Sequence, residues 1–310
     1  MVGSLTTNKC DAILCPKGKF SAVGRQTEVD VPCASCPGGE AEAPYFGSLK
    51  CGSVSAERGV LEKLYNLMFT SSSEDKYWGS DNPICTWYGV TCMSGDFADE
   101  GVTEINLESN SLATDDIDQV SKLLFDLPSL QILNIRGNEL PIKLDNVGNA
   151  PNLELLQISA IGLTSVSGIS AAKKLKELHI TENDIKGLFP TEIFDLTYLE
   201  KLYISFNSIS GPLPTRIGEL SNLKEFYGYT NDLTGAIPTE LGGLSRLETL
   251  VLGQNKFKGT LPTELNNLVN LKELSFYFEE SDGALGGKIL DFSKATHLAS
   301  IDLEGNKFTG

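Results

Sequence analysis

Seven cysteines are the most reactive side chains in this chain, and all fall within the first 92 of its 310 residues. Cys10-x4-Cys15 and Cys33-x2-Cys36 could together supply four thiolates to a zinc ion. That reading leaves Cys51, Cys85 and Cys92 without a role, and the Gly/Pro residues around the first group suit a disulfide framework better. Cysteines confined to a segment poor in large apolar side chains staple a region too small to bury a core. The odd count leaves one thiol over, and Cys10 is the candidate. Catalytic chemistry finds little support. The two histidines, His179 and His297, lie far apart, and there is no Gly-x-Ser-x-Gly elbow, kinase catalytic loop or His-Glu-x-x-His. The run GALGGK at 283–288 has phosphate-loop glycines but the wrong spacing, with Ile289 where Ser or Thr is needed. No catalytic residue, metal or cofactor is expected, and an enzyme is disfavoured.

Charge narrows the partners. The chain holds 41 acidic against 25 basic residues, a net charge of -16. Such a surface repels nucleic acid and anionic membranes. No apolar run reaches the length of a membrane span, so insertion by this chain is not expected, and the first ten residues lack the apolar stretch of a secretory signal. Asn-x-Ser/Thr is absent throughout, which gives no sign of a glycosylated surface.

Everything after residue 100 repeats. LEKLYISFNSISGPLP, LKEFYGYTNDLTGAIP and LETLVLGQNKFKGTLP place Asn207, Asn231 and Asn255 at intervals of 24 residues. The same frame surrounds Asn110, Asn138, Asn183 and Asn306. The pattern L-x-x-L-x-L-x-x-N-x-L-x-G-x-x-P resembles the plant-type leucine-rich repeat. Nine copies start near Val102, Leu130, Leu153, Leu175, Leu199, Leu223, Leu247, Leu271 and Leu298. Alternating leucines make a short strand whose inward side chains stack on those of the neighbouring turns. The asparagine sits where the chain bends, and its amide can bond backbone groups the bend leaves unpaired. Ile161 and Glu279 replace that asparagine in the third and eighth copies, so a bent coil is expected around the eighth. The chain ends within a repeat, at IDLEGNKFTG, which suggests a fragment of a longer protein.

Two further segments precede the repeats. Residues 55–101 begin with AERGVLEKLYNLMF, where Val60, Leu61, Leu64, Leu67 and Met68 share a helical face. They continue through YWGSDNPICTWYGVTC, which holds both tryptophans, Trp78 and Trp87. This stretch resembles the N-terminal cap of plant-type repeat ectodomains, matched at Trp78, Pro83, Cys85, Trp87, Gly89, Val90 and Cys92. The resemblance implies a Cys85–Cys92 bridge and tryptophans that cover the first leucine layer. Residues 1–54, with Cys-Pro-x-Gly-x-Phe and Cys-x-x-Cys-Pro-x-Gly, resemble an ephrin-receptor-like Cys-rich module. That likeness implies Cys15–Cys33 and Cys36–Cys51 pairs.

The expected architecture is therefore an α/β solenoid. A small disulfide-rich module (1–54) and a cap (55–101) precede a right-handed leucine-rich-repeat superhelix (102–310) with short parallel strands on its concave face. Aligning the outward strand positions gathers His179, Tyr203, Phe206, Tyr227, Tyr229, Tyr277 and Phe278 on or near one concave surface of copies four to eight. With strands about 4.8 Å apart, that patch is roughly 20 Å long, and aromatic enrichment marks interfaces. It is the candidate ligand-binding site. The resemblance implies a secreted or cell-surface recognition module for a protein, peptide or glycan, with another oxidising lumen as the alternative compartment. Two other roles stay open: an inhibitor of a wall-degrading hydrolase, and an adhesive or structural subunit of a larger complex.

Overall fold

The computed structural model describes residues 56–71, 73, 77–93, 101–279 and 285–309, together with the backbone of a two-residue antiparallel ladder that pairs Lys19–Phe20 with Ala34–Ser35. The Cys15–Cys33 and Cys36–Cys51 pairings, and Cys10, lie outside the described residues.

Helix α1 (Ala56–Met68) opens the cap. Leu61, Leu64 and Met68 are fully buried, and Val60 and Leu67 pack at the edge of the same core. Its first turn also carries two buried charges. The Glu57 carboxylate accepts the Val102 backbone N–H at 3.1 Å, at the start of the first repeat strand. Arg58 donates to the Ser80 and Asn82 carbonyls and lies 5.3 Å over the Trp87 ring. Charges survive burial only when bonded in this way.

From the cap runs a ten-stranded sheet. Its strands are Val90–Cys92, Val102–Asn106, Ile132–Asn134, Leu155–Gln157, Glu177–His179, Lys201–Tyr203, Glu225–Tyr227, Thr249–Val251, Glu273–Ser275 and Ser300–Asp302, in that spatial order. The first pair is antiparallel and the remaining pairs are parallel. Each three-residue strand from the second copy to the eighth shows the same burial pattern, one buried residue between two half-exposed ones. Helix α2 (Ile117–Phe125) fills the return of the first copy. Later returns use 3-10 turns such as Thr191–Asp195, Thr215–Glu219 and Thr239–Gly243, each entered from a proline. A second parallel sheet, Lys186–Leu188, Ser208–Pro212, Asp232–Gly235 and Lys256–Phe257, runs through the Gly-x-x-Pro segments.

The asparagines behave as the repeat frame requires. The Asn255 side-chain amide donates to the carbonyls of Gly228, Leu252 and Gly253, and its oxygen accepts the Leu233 N–H of the preceding turn. Asn138, Asn183, Asn207, Asn231 and Asn306 make the equivalent bonds. Each amide thus pairs backbone groups of two successive turns, and where these are buried, as at Asn138, Asn231 and Asn255, they would otherwise carry a desolvation cost of about 1–3 kcal/mol apiece. Phe226 shows how the core adapts. It takes a leucine position, and the next inward position is Gly228, where an added Cβ would meet the Phe226 ring at 3.4 Å and Leu252 at 2.9 Å.

Candidate functional site

Parallel register decides which concave side chains meet. Gln157 lies opposite His179, His179 opposite Tyr203, and Tyr203 opposite Tyr227. Residues held in register one strand apart must stack or leave a gap. His179 and Tyr203 stack at 4.3 Å between ring centroids, tilted by 14°, and Tyr203 and Tyr227 at 5.0 Å and 7°. Further along the turn, Phe206 meets Tyr229 edge-on at 5.1 Å. These rings are half-buried, and Phe206 is 45% exposed. Five of the seven expected residues, His179, Tyr203, Phe206, Tyr227 and Tyr229, therefore touch in two short chains. Tyr277 lies beyond them and helps line an open depression of about 360 Å³ with Tyr227, Tyr229, Val251, Glu273 and Asp302.

Phe278 does not belong to this surface. It is 4% exposed and packed in the core. In most other copies the residue before the asparagine adopts a left-handed conformation, as Phe206 does with φ +54° and Thr230 with φ +53°. That conformation carries the side chain outward. Glu279 replaces the asparagine in the eighth copy, and Phe278 is not among the positive-φ residues. Its ring turns inward instead.

The residues on the other side of each inward leucine, not singled out by the aromatic pattern, supply the electrostatics. Lys201 lies between two carboxylates, 3.2 Å from Glu177 and 4.0 Å from Glu225. Glu177 also reaches the His179 ring at 3.4 Å, and the Tyr203 hydroxyl donates to Glu225. One position earlier runs a rail of alternating sign. Lys176–Glu154, Lys224–Glu200 and Lys272–Glu248 pair at 2.7, 2.6 and 2.5 Å. The strict sign alternation of Glu154, Lys176, Glu200, Lys224, Glu248 and Lys272 within the repeat frame is the sequence signal that marks this rail.

These surroundings shift the ring groups. Burial lowers the His179 pKa despite the nearby Glu177 carboxylate, so the ring is neutral at pH 7. Burial, then the hydrogen bond to Glu225, pushes the Tyr203 phenol well above its usual value. Burial and the Glu273 carboxylate raise Tyr227, and desolvation with Glu279, Glu304 and Asp302 raises Tyr277. The phenols stay protonated and able to donate. Among the described residues no cluster of three or more metal-ligating side chains occurs, and no helix is long and apolar enough to cross a membrane.

The Leucine Rich Repeat family matches at residues 198–220 and 246–268. The fold is the leucine-rich-repeat solenoid. Among solved structures, the plant peptide hormone receptor RGFR1 in complex with RGF2 is similar at 30% identity over 60% of this chain and 30% of that one, with a TM-score of 0.55. The leucine-rich-repeat ectodomain of the Arabidopsis receptor kinase HAESA, bound to an N-terminally extended IDA peptide hormone, is 25% identical over 83% of this chain and 50% of that one, with a TM-score of 0.53. A plant ice-binding protein shares the fold alone, at 19% identity over 82% of this chain and 95% of that one, with a TM-score of 0.52. No curated protein matches the chain. This leucine-rich-repeat chain spans 30% of the length of the RGFR1 chain and half that of HAESA.

Proposed function

We propose that this chain is a non-catalytic recognition module that binds an extended peptide along the aromatic column of its concave face, outside the cell. The observation that carries the reading is the stacked His179–Tyr203–Tyr227 column, half-exposed among the described residues and edged by Glu177, Lys201 and Glu225. Stacked rings offer flat apolar area at low entropic cost, and the adjoining phenols and carboxylates offer bonds to a backbone. Two similar solved structures carry peptide hormones in their names, which supports a peptide over a glycan. The Cys85–Cys92 disulfide supports an oxidising, extracellular setting.

Selection of a random-peptide display library on the chain, with retesting against single Tyr203→Ala and Tyr227→Ala variants, checks the reading. Each variant should weaken the selected peptides about thirtyfold, the effect of losing an aromatic anchor at an interface, with an unchanged thermal midpoint. Selected peptides that bind both variants as well as the parent chain would overturn it.

A further inference from the structure

The column of strand residues that holds the charges changes character halfway along the sheet. Glu177, Lys201 and Glu225 alternate in sign, with Lys201 shared between the two carboxylates. Continued alternation would put a lysine opposite Glu225 and Glu273; Thr249 stands there instead. The next residue in the column, opposite Glu273, is Ser300. Asp302 ends the strand that Ser300 begins, and Glu304 follows in the turn after it, both exposed. Among the described residues no lysine or arginine lies within ion-pair distance of Glu273, Asp302 or Glu304.

The aromatic positions open at the same place. Where Tyr203 faces Tyr227, the next residues in that row are Val251 and Ser275, so the stack stops. In the adjoining row Tyr229 and Tyr277 are separated by Gly253. A Cβ at Gly253 would meet the Tyr277 backbone oxygen at 2.7 Å, so this position carries no side chain of its own between the two rings. Two strand spacings set Tyr229 and Tyr277 roughly 10 Å apart. That is too far for the rings to stack on each other. A group midway between them would lie about 5 Å from each, inside the roughly 6 Å reach of a cation over an aromatic face. Among the described residues the resulting depression is lined by three tyrosines and two carboxylates and by no basic residue. Burial and the surrounding carboxylates also hold the Tyr227 and Tyr277 phenols protonated.

We infer that the depression between Tyr229 and Tyr277 receives an arginine side chain of the bound peptide, its guanidinium held between the rings and paired with Glu273 and Asp302. A planar guanidinium fits a ring-walled slot and carries several donors in fixed directions, which suits two carboxylates and the hydroxyls of Ser275 and Ser300. It supplies the positive charge that Thr249 and Ser300 omit. The inference rests on the peptide-binding reading and adds one feature to it: the ligand carries a basic residue that docks at the C-terminal end of the aromatic column.

The probe is the blocked pentapeptide acetyl-Gly-Gly-Arg-Gly-Gly-amide, compared with its citrulline twin, which has the same shape and no charge. Binding to the full chain is measured by calorimetry and by tyrosine ring resonances. The arginine peptide should bind about tenfold tighter than the citrulline peptide. The Glu273→Gln/Asp302→Asn double variant, which keeps the shape of the depression, should erase that preference. Tyr277→Ala should weaken the arginine peptide by a similar factor. Asn134→Ala, on the same face four repeats before the depression, should leave the preference intact. Equal binding of the two peptides, or a preference that persists in the double variant, would overturn the inference. Library peptides that need Tyr203 and Tyr227 but lack any basic residue would overturn it while leaving the peptide-binding reading standing. An arginine preference that survives when no selected peptide depends on Tyr203 would support the slot and remove the column.

Discussion

Aromatic rings form contact chains in two regions of this solenoid, the N-terminal cap and the concave face, and the two chains have opposite surroundings. In the cap, Tyr65, Phe69, Trp78 and Trp87 follow one another at 5.1, 4.8 and 5.2 Å, with planes tilted by 39° to 48°. On the concave face His179, Tyr203 and Tyr227 stack with tilts of 14° and 7°. The cap rings come from a helix and from irregular chain, so nothing forces their planes to agree. The concave rings come from parallel strands in register, and translation from strand to strand makes them parallel. Near-parallel stacking is therefore a consequence of register and says little about function. Exposure separates the two. Trp87 is 2% and Trp78 4% exposed, and their indole N–H groups donate to the Asn82 and Tyr88 carbonyls at 3.1 and 2.7 Å. The concave rings are half-exposed. Both ring chains bond polar atoms internally, since the Tyr203 hydroxyl donates to Glu225 and the His179 ring meets Glu177. The cap chain seals a layer because it is buried; the concave chain is available to a partner because its ring faces are half-exposed.

The sharpest way to break this comparison is to remove a ring from each chain. Trp87→Ala should cost about 3–5 kcal/mol, the usual range for deleting a buried tryptophan. Tyr203→Ala, at a half-exposed position, should cost under about 1 kcal/mol. Denaturant unfolding of the two variants checks this, with hydrogen exchange locating the damage. The Trp87→Ala losses should concentrate in the copies beginning at Val102 and Leu130. Equal losses in the two variants would mean the concave column is as structural as the cap.

Much of this contrast was legible in the residues. Leucine alternation marked the strands, the asparagine frame marked the bonded turns, and the cap signature placed Trp78, Trp87 and the Cys85–Cys92 bridge, which is formed here. The repeat alignment gathers the seven on or near one concave surface; five of them touch there, and Tyr277 lines the depression beside them. Phe278 was misplaced because a repeat alignment assumes the same backbone in every copy. Phe206 and Phe278 hold the same repeat position, and the left-handed turn there, which the third copy keeps at Ala160 even with Ile161 in the asparagine position and which Phe278 lacks, carries Phe206 outward. Glu279 was the visible warning. The charge rail escaped because acidic and basic residues at half-exposed strand positions look like ordinary solvated surface until register puts them side by side. The second sheet escaped for a different reason: its strands run through the Gly-x-x-Pro segments, whose glycine and proline content argues against strands.

A smaller effect sharpens the cap side of the comparison. The Cys85–Cys92 bridge spans seven residues with a Cα–Cα distance of 5.6 Å. Loop-closure entropy for so short a loop gives about 2.5 kcal/mol. Reduction should lower stability by about that amount and raise exchange in the first copies, leaving the concave column of the fourth to sixth copies protected. Exchange that rises evenly along the solenoid would show that the cap does not act locally.

The smallest effect belongs to the concave side and tests whether its rings are partly buried by one another. His179 stacks on Tyr203, and burial holds its pKa below the ordinary 6.5 in spite of Glu177. Between the folded value and 6.5 the unfolded chain binds more protons, so stability rises with pH across that window. The contribution of the neutral ring is complete above 6.5 and declines as the pH falls toward the folded value. Chemical denaturation between pH 7 and pH 5 should therefore show the parent chain losing more stability than His179→Gln, since other titrating groups are common to both. Proton resonances of the imidazole give the same quantity directly, with a titration midpoint below 6.5. In a Tyr203→Ala background the ring loses its cover, desolvation weakens and Glu177 remains, so the midpoint should move up. A midpoint that stays low without Tyr203 would mean that the strand beneath, and not the aromatic column, shields the histidine. The column would then be a row of separate side chains that share a register and do not bury one another.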